Sequence, residues 1–182
     1  MSTREDAVII NSLVRQALTS AQEVMGDNGL NAVLRTTGLE RFIGNFPPNN
    51  LEPSIPASQY AQLNQAIEDF YGRAGKGMLR RIGKASFQYG VREQSALLGV
   101  AGVALKVLPE KQRIKFILNG MVDALKKSNS QVNAWVDESG ERLAYVESTC
   151  AICHSRHSET PICYLYAGSI ALVIGYETMY AH

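Results

Sequence analysis

Apolar residues recur at three- and four-residue steps near the start of the chain. Val8, Ile9, Leu13, Ala17 and Ala21 share one face, and Thr3 with Asp6 fits a capping box. An amphipathic helix is therefore expected from about residue 4 to 25, ended by Gly26-Asp-Asn-Gly29, with a shorter one over Leu30 to Leu39. The polar, proline-bearing stretch from Asn45 to Pro56 reads as a loop that can serve as a lid. Tyr60, Leu63, Ile67 and Phe70 mark the next helical face, and Met78, Leu79, Ile82, Ala85, Phe87 and Tyr89 resume an apolar pattern after the glycines at 72, 75 and 77. Two helices are expected to meet at that glycine joint. The glycine run lacks the Gly-Lys-Ser/Thr ending and the preceding strand of a phosphate loop, so close helix packing is the better reading.

Pro109 at a first helical turn, then Ile114, Ile117, Leu118, Met121 and Leu125, define a further helix that closes on Lys126-Lys127, where cations suit the negative helix end. The period then changes from that of a helix to two. Val132, Ala134 and Val136 alternate with Asn133 and Trp135, Asp137-Glu-Ser-Gly140 makes a turn, and Leu143 to Val146 forms a second strand. Pro161 opens a last helix carrying Cys163, Leu165, Ile170, Val173 and Ile174. This order predicts an α+β fold, with several helices packed on a small antiparallel sheet.

With 182 residues the chain is expected to form a single domain, residues 1–182. Eighteen basic and seventeen acidic residues leave a net charge of +1 with no dense Lys/Arg stripe, which gives no nucleic-acid footprint. The longest uncharged stretch, Thr160 to Tyr176, is short and polar for a membrane span. The first residues lack the basic-then-apolar order of a secretory signal, so a cytoplasmic location is expected.

All three cysteines and two of the three histidines fall between positions 150 and 163, in Cys150-Ala-Ile-Cys153-His154-Ser-Arg-His157 and Pro161-Ile-Cys163. In a reducing compartment such thiols read as metal ligands before they read as bridges. The two-residue gap lets Cys150 and Cys153 turn onto one cation, and Cys163 at a helix start can supply a third thiolate. Zinc is the expected metal, with His157, which has slack to fold back, as fourth ligand; His154 and Glu147 are the alternatives. Three rivals remain. Cys150-Ala-Ile-Cys153-His154 also matches the c-type haem attachment string, a thioredoxin-like pair would need a βαβ setting, and the cysteines can simply be buried hydrophobes. Cys/His catalysis is disfavoured because, apart from Glu147 nearby in sequence, no group stands out to orient a histidine.

The segment from Val146 to Gly168, above all Pro161-Ile-Cys163-Tyr164 entering a helix, resembles the core motif of the 4-vinyl reductase domain family, whose members are also described as hydrocarbon-binding and are TRAPP-like in fold. The resemblance implies an apolar pocket between helices and sheet, with a structural zinc at its floor held by cysteines such as Cys150, Cys153 and Cys163. Apolar periodicity then offers Phe116, Trp135, Tyr145, Tyr164 and Tyr166 as lining residues, the Trp and Tyr having polar handles that can orient a ligand. Members of that family continue into two further strands with more cysteines, whereas this sequence stops at Tyr180-Ala-His182. Either the chain is shortened there, and a further cysteine replaces His157, or those strands are lacking. The leading expectation is a non-catalytic sensor or carrier domain that binds a small hydrophobic or aromatic molecule, with a homodimer compatible with it. The alternatives are an enzyme or enzyme subunit that reduces a tetrapyrrole vinyl group, for which no hydride-donor motif is visible, and a TRAPP-like assembly module.

Overall fold

The computed structural model describes residues 6–93, 108–128 and 132–174, so the expectations placed on Thr3 and on Tyr180-Ala-His182 lie outside the described residues. The fold is α+β: helices pack on two small antiparallel two-stranded sheets.

The chain enters as a strand, β1 (Val8–Ile10), rather than as a helix, and α1 (Asn11–Thr36) follows without a break. The apolar spacing of Val8 and Ile9 suits either state, and the decision is tertiary. β2 (Pro53–Pro56) pairs antiparallel with β1, Ile9 opposite Ile55, and a two-stranded sheet has only edges, where proline is tolerated. The stretch expected as a loop and lid is therefore fastened. Asn11 Nδ2 donates to Asn50 Oδ1 at 2.9 Å, and an Arg15 Nη to the Pro47 carbonyl at 3.0 Å. The first free amides of α1 are also used there: Asn11 N–H reaches the Glu52 carbonyl and Ser12 N–H the Asn50 carbonyl. The expected stop at Gly26 is a kink inside α1, where φ of 73° and ψ of 167° leave the helical region before the helix resumes to Thr36.

The glycine joint takes the expected form. α2 (Ala57–Tyr71) runs through one 3₁₀ turn, Gly72–Ala74, into α3 (Gly75–Glu93). Tyr60, Leu63 and Ile67 of α2, with Leu79 and Ile82 of α3, join Val14, Leu18, Leu30 and Leu34 of α1 in the core, while Phe70 is left exposed. α4 (Glu110–Ser128) buries Leu118 and Val122 and lies against β3. The hairpin matches expectation: β3 (Ala134–Asp137) pairs with β4 (Ala144–Glu147), and Ser139 N–H donates to Asp137 Oδ1 at 2.8 Å to shape the turn.

The last helix, α5 (Tyr164–Ile174), packs most extensively on α3. The two approach backbone to backbone at two glycines. A Cβ on Gly83 would overlap the Leu165 carbonyl oxygen, and one on Gly168 the Arg80 carbonyl oxygen. Ser169 Oγ completes the crossing by donating to the Gly83 carbonyl at 2.9 Å.

Among the described residues, no helix is long and apolar enough to cross a membrane.

Candidate metal centre and adjoining cavity

The cysteine segment leaves β4 as a continuation of the hairpin, since Ser148 N–H donates to the Asn133 carbonyl and Asn133 N–H to Thr149 Oγ1. It then coils tightly. Cys153 N–H reaches back to the Cys150 carbonyl at 3.2 Å and Arg156 N–H to the Cys153 carbonyl at 3.1 Å, with Ser155 at a positive φ of 56°. Ile152, fully buried, anchors the coil in the core. Arg156 anchors it from the other side, donating to Gln65 Oε1 at 2.6 Å and pairing with Glu68 Oε2 at 3.0 Å, both on α2, with the side chains only 10% and 15% exposed. Replacing Arg156 by methionine should strand Glu68 in a largely buried position and cost about 2–3 kcal/mol, measured by urea unfolding.

That coil, with Cys163 just before α5, brings the three Sγ atoms within 4.8 Å of one another, Cys150 and Cys163 being 3.5 Å apart. Ala167 N–H bonds the Cys163 carbonyl, so Cys163 sits at the mouth of α5; its hydrogen bond with Cys150 favours the thiolate, but the Cys153 hydrogen bond, burial and the charges of Cys153 and Glu147 outweigh this and push the thiol up to about 12. Three thiols this close cannot all ionise independently. Hydrogen bonds from Cys150 and Cys163 hold the Cys153 thiol well below the ordinary range, with Arg156 adding to the effect. Sharing its proton with Cys153 and Cys163, together with burial, pushes Cys150 up. A cation at the centre would relieve this conflict by drawing all three sulfurs into coordination as thiolates. The donor set therefore fits a metal ion.

Of the histidines offered as fourth ligand, His157 is exposed and lies outside this group, while His154 turns to Asp6, its Nε2 3.4 Å from Oδ1. Glu147, at the end of β4, accepts a 2.7 Å hydrogen bond from the Tyr145 hydroxyl, and burial first, then the Cys153 charge, push its carboxyl up despite that bond.

Asp6 also receives Ser58 N–H at 3.0 Å and the Ser58 hydroxyl, capping α2 from outside it. Burial works against its charge, but the Ser58 hydrogen bonds and His154 outweigh this and hold the carboxyl below its ordinary 3.8. A group depressed in the folded state stabilises above the unfolded pKa and loses that contribution as pH falls through the folded one. Stabilities of the native chain and of Asp6→Asn should thus differ, by less than about 1 kcal/mol after solvent screening, at pH 6, and converge as pH falls below the ordinary carboxylate range. Thermal melts across pH would show it.

The three cysteines form one wall of a cavity of about 900 Å³. Ile9 and Ile10 of β1, Phe87 of α3 and Met121 of α4 give it apolar walls; Tyr60, Glu147, Tyr166, Ser169 and Gln16 supply polar groups. This size and mixture suit a small organic ligand. Of the five aromatic residues expected to line a pocket, Tyr166 does so. Phe116 and Trp135 stand 46% and 43% exposed, on the outer sides of α4 and β3, because helical and strand periodicity identify an apolar face without saying what covers it. Tyr145 is turned to Glu147, and Tyr164 packs beneath Lys76 and Arg80, whose charged groups lie 5.3 and 5.4 Å from its ring centre. Gln16, Tyr60 and Ser169 were not singled out in the sequence as candidate site residues. A polar residue interrupting an otherwise apolar helical face, as Gln16 does between Leu13 and Ala17, is the signal that marks one of them.

No family model and no curated protein matches this sequence.

Proposed function

We propose that this chain is a ligand-binding domain, a cytoplasmic sensor or carrier, that takes a small hydrophobic or aromatic molecule into the cavity beside Cys150, Cys153 and Cys163. The observation that supports this reading best is the cavity itself, about 900 Å³ with apolar walls and few polar groups. The cysteines hold a structural zinc, the metal that a compact set of thiolates suits best. Glu147 or His154, which line the same cavity, would have to turn towards the three sulfurs to supply its fourth ligand. The metal would offset most of the charge of the three thiolates and tie the coil after β4 to the start of α5. The resemblance of residues 146–168 to 4-vinyl reductase domains agrees with this assignment.

Plasma emission on protein purified without a metal-affinity tag should find about one zinc per chain. Titration with the neutral dye N-phenyl-1-naphthylamine should give saturable, one-to-one fluorescence enhancement. Absence of metal would remove the zinc assignment, and absence of saturable dye binding would remove the ligand-binding reading.

A further inference from the structure

Gln16 lies on α1, only 6% exposed, and lines the cavity, yet its Nε2 is buried with no hydrogen-bond partner among the described residues. Its amide oxygen rests against α3 at Gly90, where an added Cβ would come within 3.2 Å of it. A buried amide donor left without an acceptor costs about 1–3 kcal/mol, so such groups are nearly always satisfied in a finished interior. No acceptor among the described residues meets the need. What fills the cavity can supply it.

The charge of the lining narrows the choice. Glu147 and the cysteine cluster face the same space. Lys127, which also borders the cavity, is exposed to solvent at its rim, and His154 already faces Asp6. Among the described lining residues no buried cation is placed to pair with a negatively charged head group, and a purely hydrocarbon ligand would leave Gln16 unpaired.

On the ligand-binding reading above, we propose that Gln16 is the polar recognition point of the cavity, which takes an uncharged, largely apolar molecule presenting a carbonyl oxygen to the Gln16 amide. The recognition is by polarity within an apolar envelope: the walls select for hydrocarbon bulk and the Gln16 amide donor selects for an acceptor on it.

The test is a cycle of calorimetric titrations with 1-tetralone, tetralin and tetralin-1-carboxylate, on the native chain and on Gln16→Met, which keeps the side chain's length but removes its donor. The affinity ratio of 1-tetralone to tetralin should fall about fivefold in the variant, the value of one neutral hydrogen bond, with tetralin binding retained. Gln16→Leu repeats the comparison should Gln16→Met not fold. An unchanged ratio, with both ligands still bound, would mean that an ordered water satisfies Gln16, and would overturn the inference while leaving the cavity reading intact. If neither 1-tetralone nor tetralin bound the native chain, the ligand-binding reading would fail, and this inference with it. Tighter binding of the carboxylate than of the ketone would overturn the uncharged class.

Discussion

On the zinc reading, replacing Cys153 by serine is expected to abolish metal binding and lower the melting temperature by about 10 °C. An ion that binds only the folded chain stabilises it by mass action, about 4 kcal/mol when present at a thousand times its dissociation constant, and in a chain of this size each kcal/mol moves the melting point by roughly 2–4 °C. Serine keeps the shape of the side chain, so the loss reflects the ligand and not a cavity. The position is chosen because Cys153 is the thiol most readily ionised, held down by hydrogen bonds from its two neighbours. A chelator should bring the native chain down towards the variant and leave the variant unmoved, because metal binding and folding are coupled only where the ligands exist. Melting curves that coincide for the two proteins, with and without chelator, would show that the cluster holds no stabilising ion. Cys150→Ser and Cys163→Ser should behave alike, since the three sulfurs lie within 4.8 Å of one another and serve one centre.

The second large effect is expected where α3 crosses α5. Gly83→Ala and Gly168→Ala should each destabilise the chain by about 3 kcal/mol or more, at the upper end of overpacking costs, measured as a shift in the urea midpoint. In each case the new methyl group meets a backbone carbonyl oxygen, of Leu165 or of Arg80, and no rotamer change can relieve a clash with backbone. The helices must separate, which breaks the Ser169 hydroxyl bond to Gly83 and moves Cys163, Tyr166 and Ser169 together, because all three ride on α5 or at its mouth. Ligand and metal binding should therefore weaken with stability. Gly77→Ala is the control. It lies on the same helix with nothing within 4 Å of the added carbon, so the substitution should stabilise by about 0.5–1 kcal/mol through helix propensity. Equal effects at Gly77 and Gly83 would mean that propensity, and not the close crossing, governs α3.

Much of the architecture was legible in the chain. The α4 helix announced itself by proline, apolar spacing and closing lysines, and the hairpin by its change of period around Asp137. The cysteine spacing pointed to a shared centre before any coordinates, because two residues between thiols are what a tight turn can close. The first strand was not legible: Val8 and Ile9 carry no mark that separates strand from helix. What settles them is β2, more than forty residues downstream and disguised as loop by its two prolines. For the same reason the segment from Asn45 to Pro56 read as a free lid, although side chains of α1 hold it down.

The sequence by itself determined most of the helices, the β3–β4 hairpin, the α+β class and the grouping of Cys150, Cys153 and Cys163, because each of these follows from short-range spacing. The tertiary structure alone decided which faces were covered. It put Phe116 and Trp135 on the surface, Tyr166 and Gln16 on the cavity, and His157 away from the cysteines. Periodicity gives a side chain's direction relative to its own backbone, whereas a cavity or a metal centre depends on where distant elements meet.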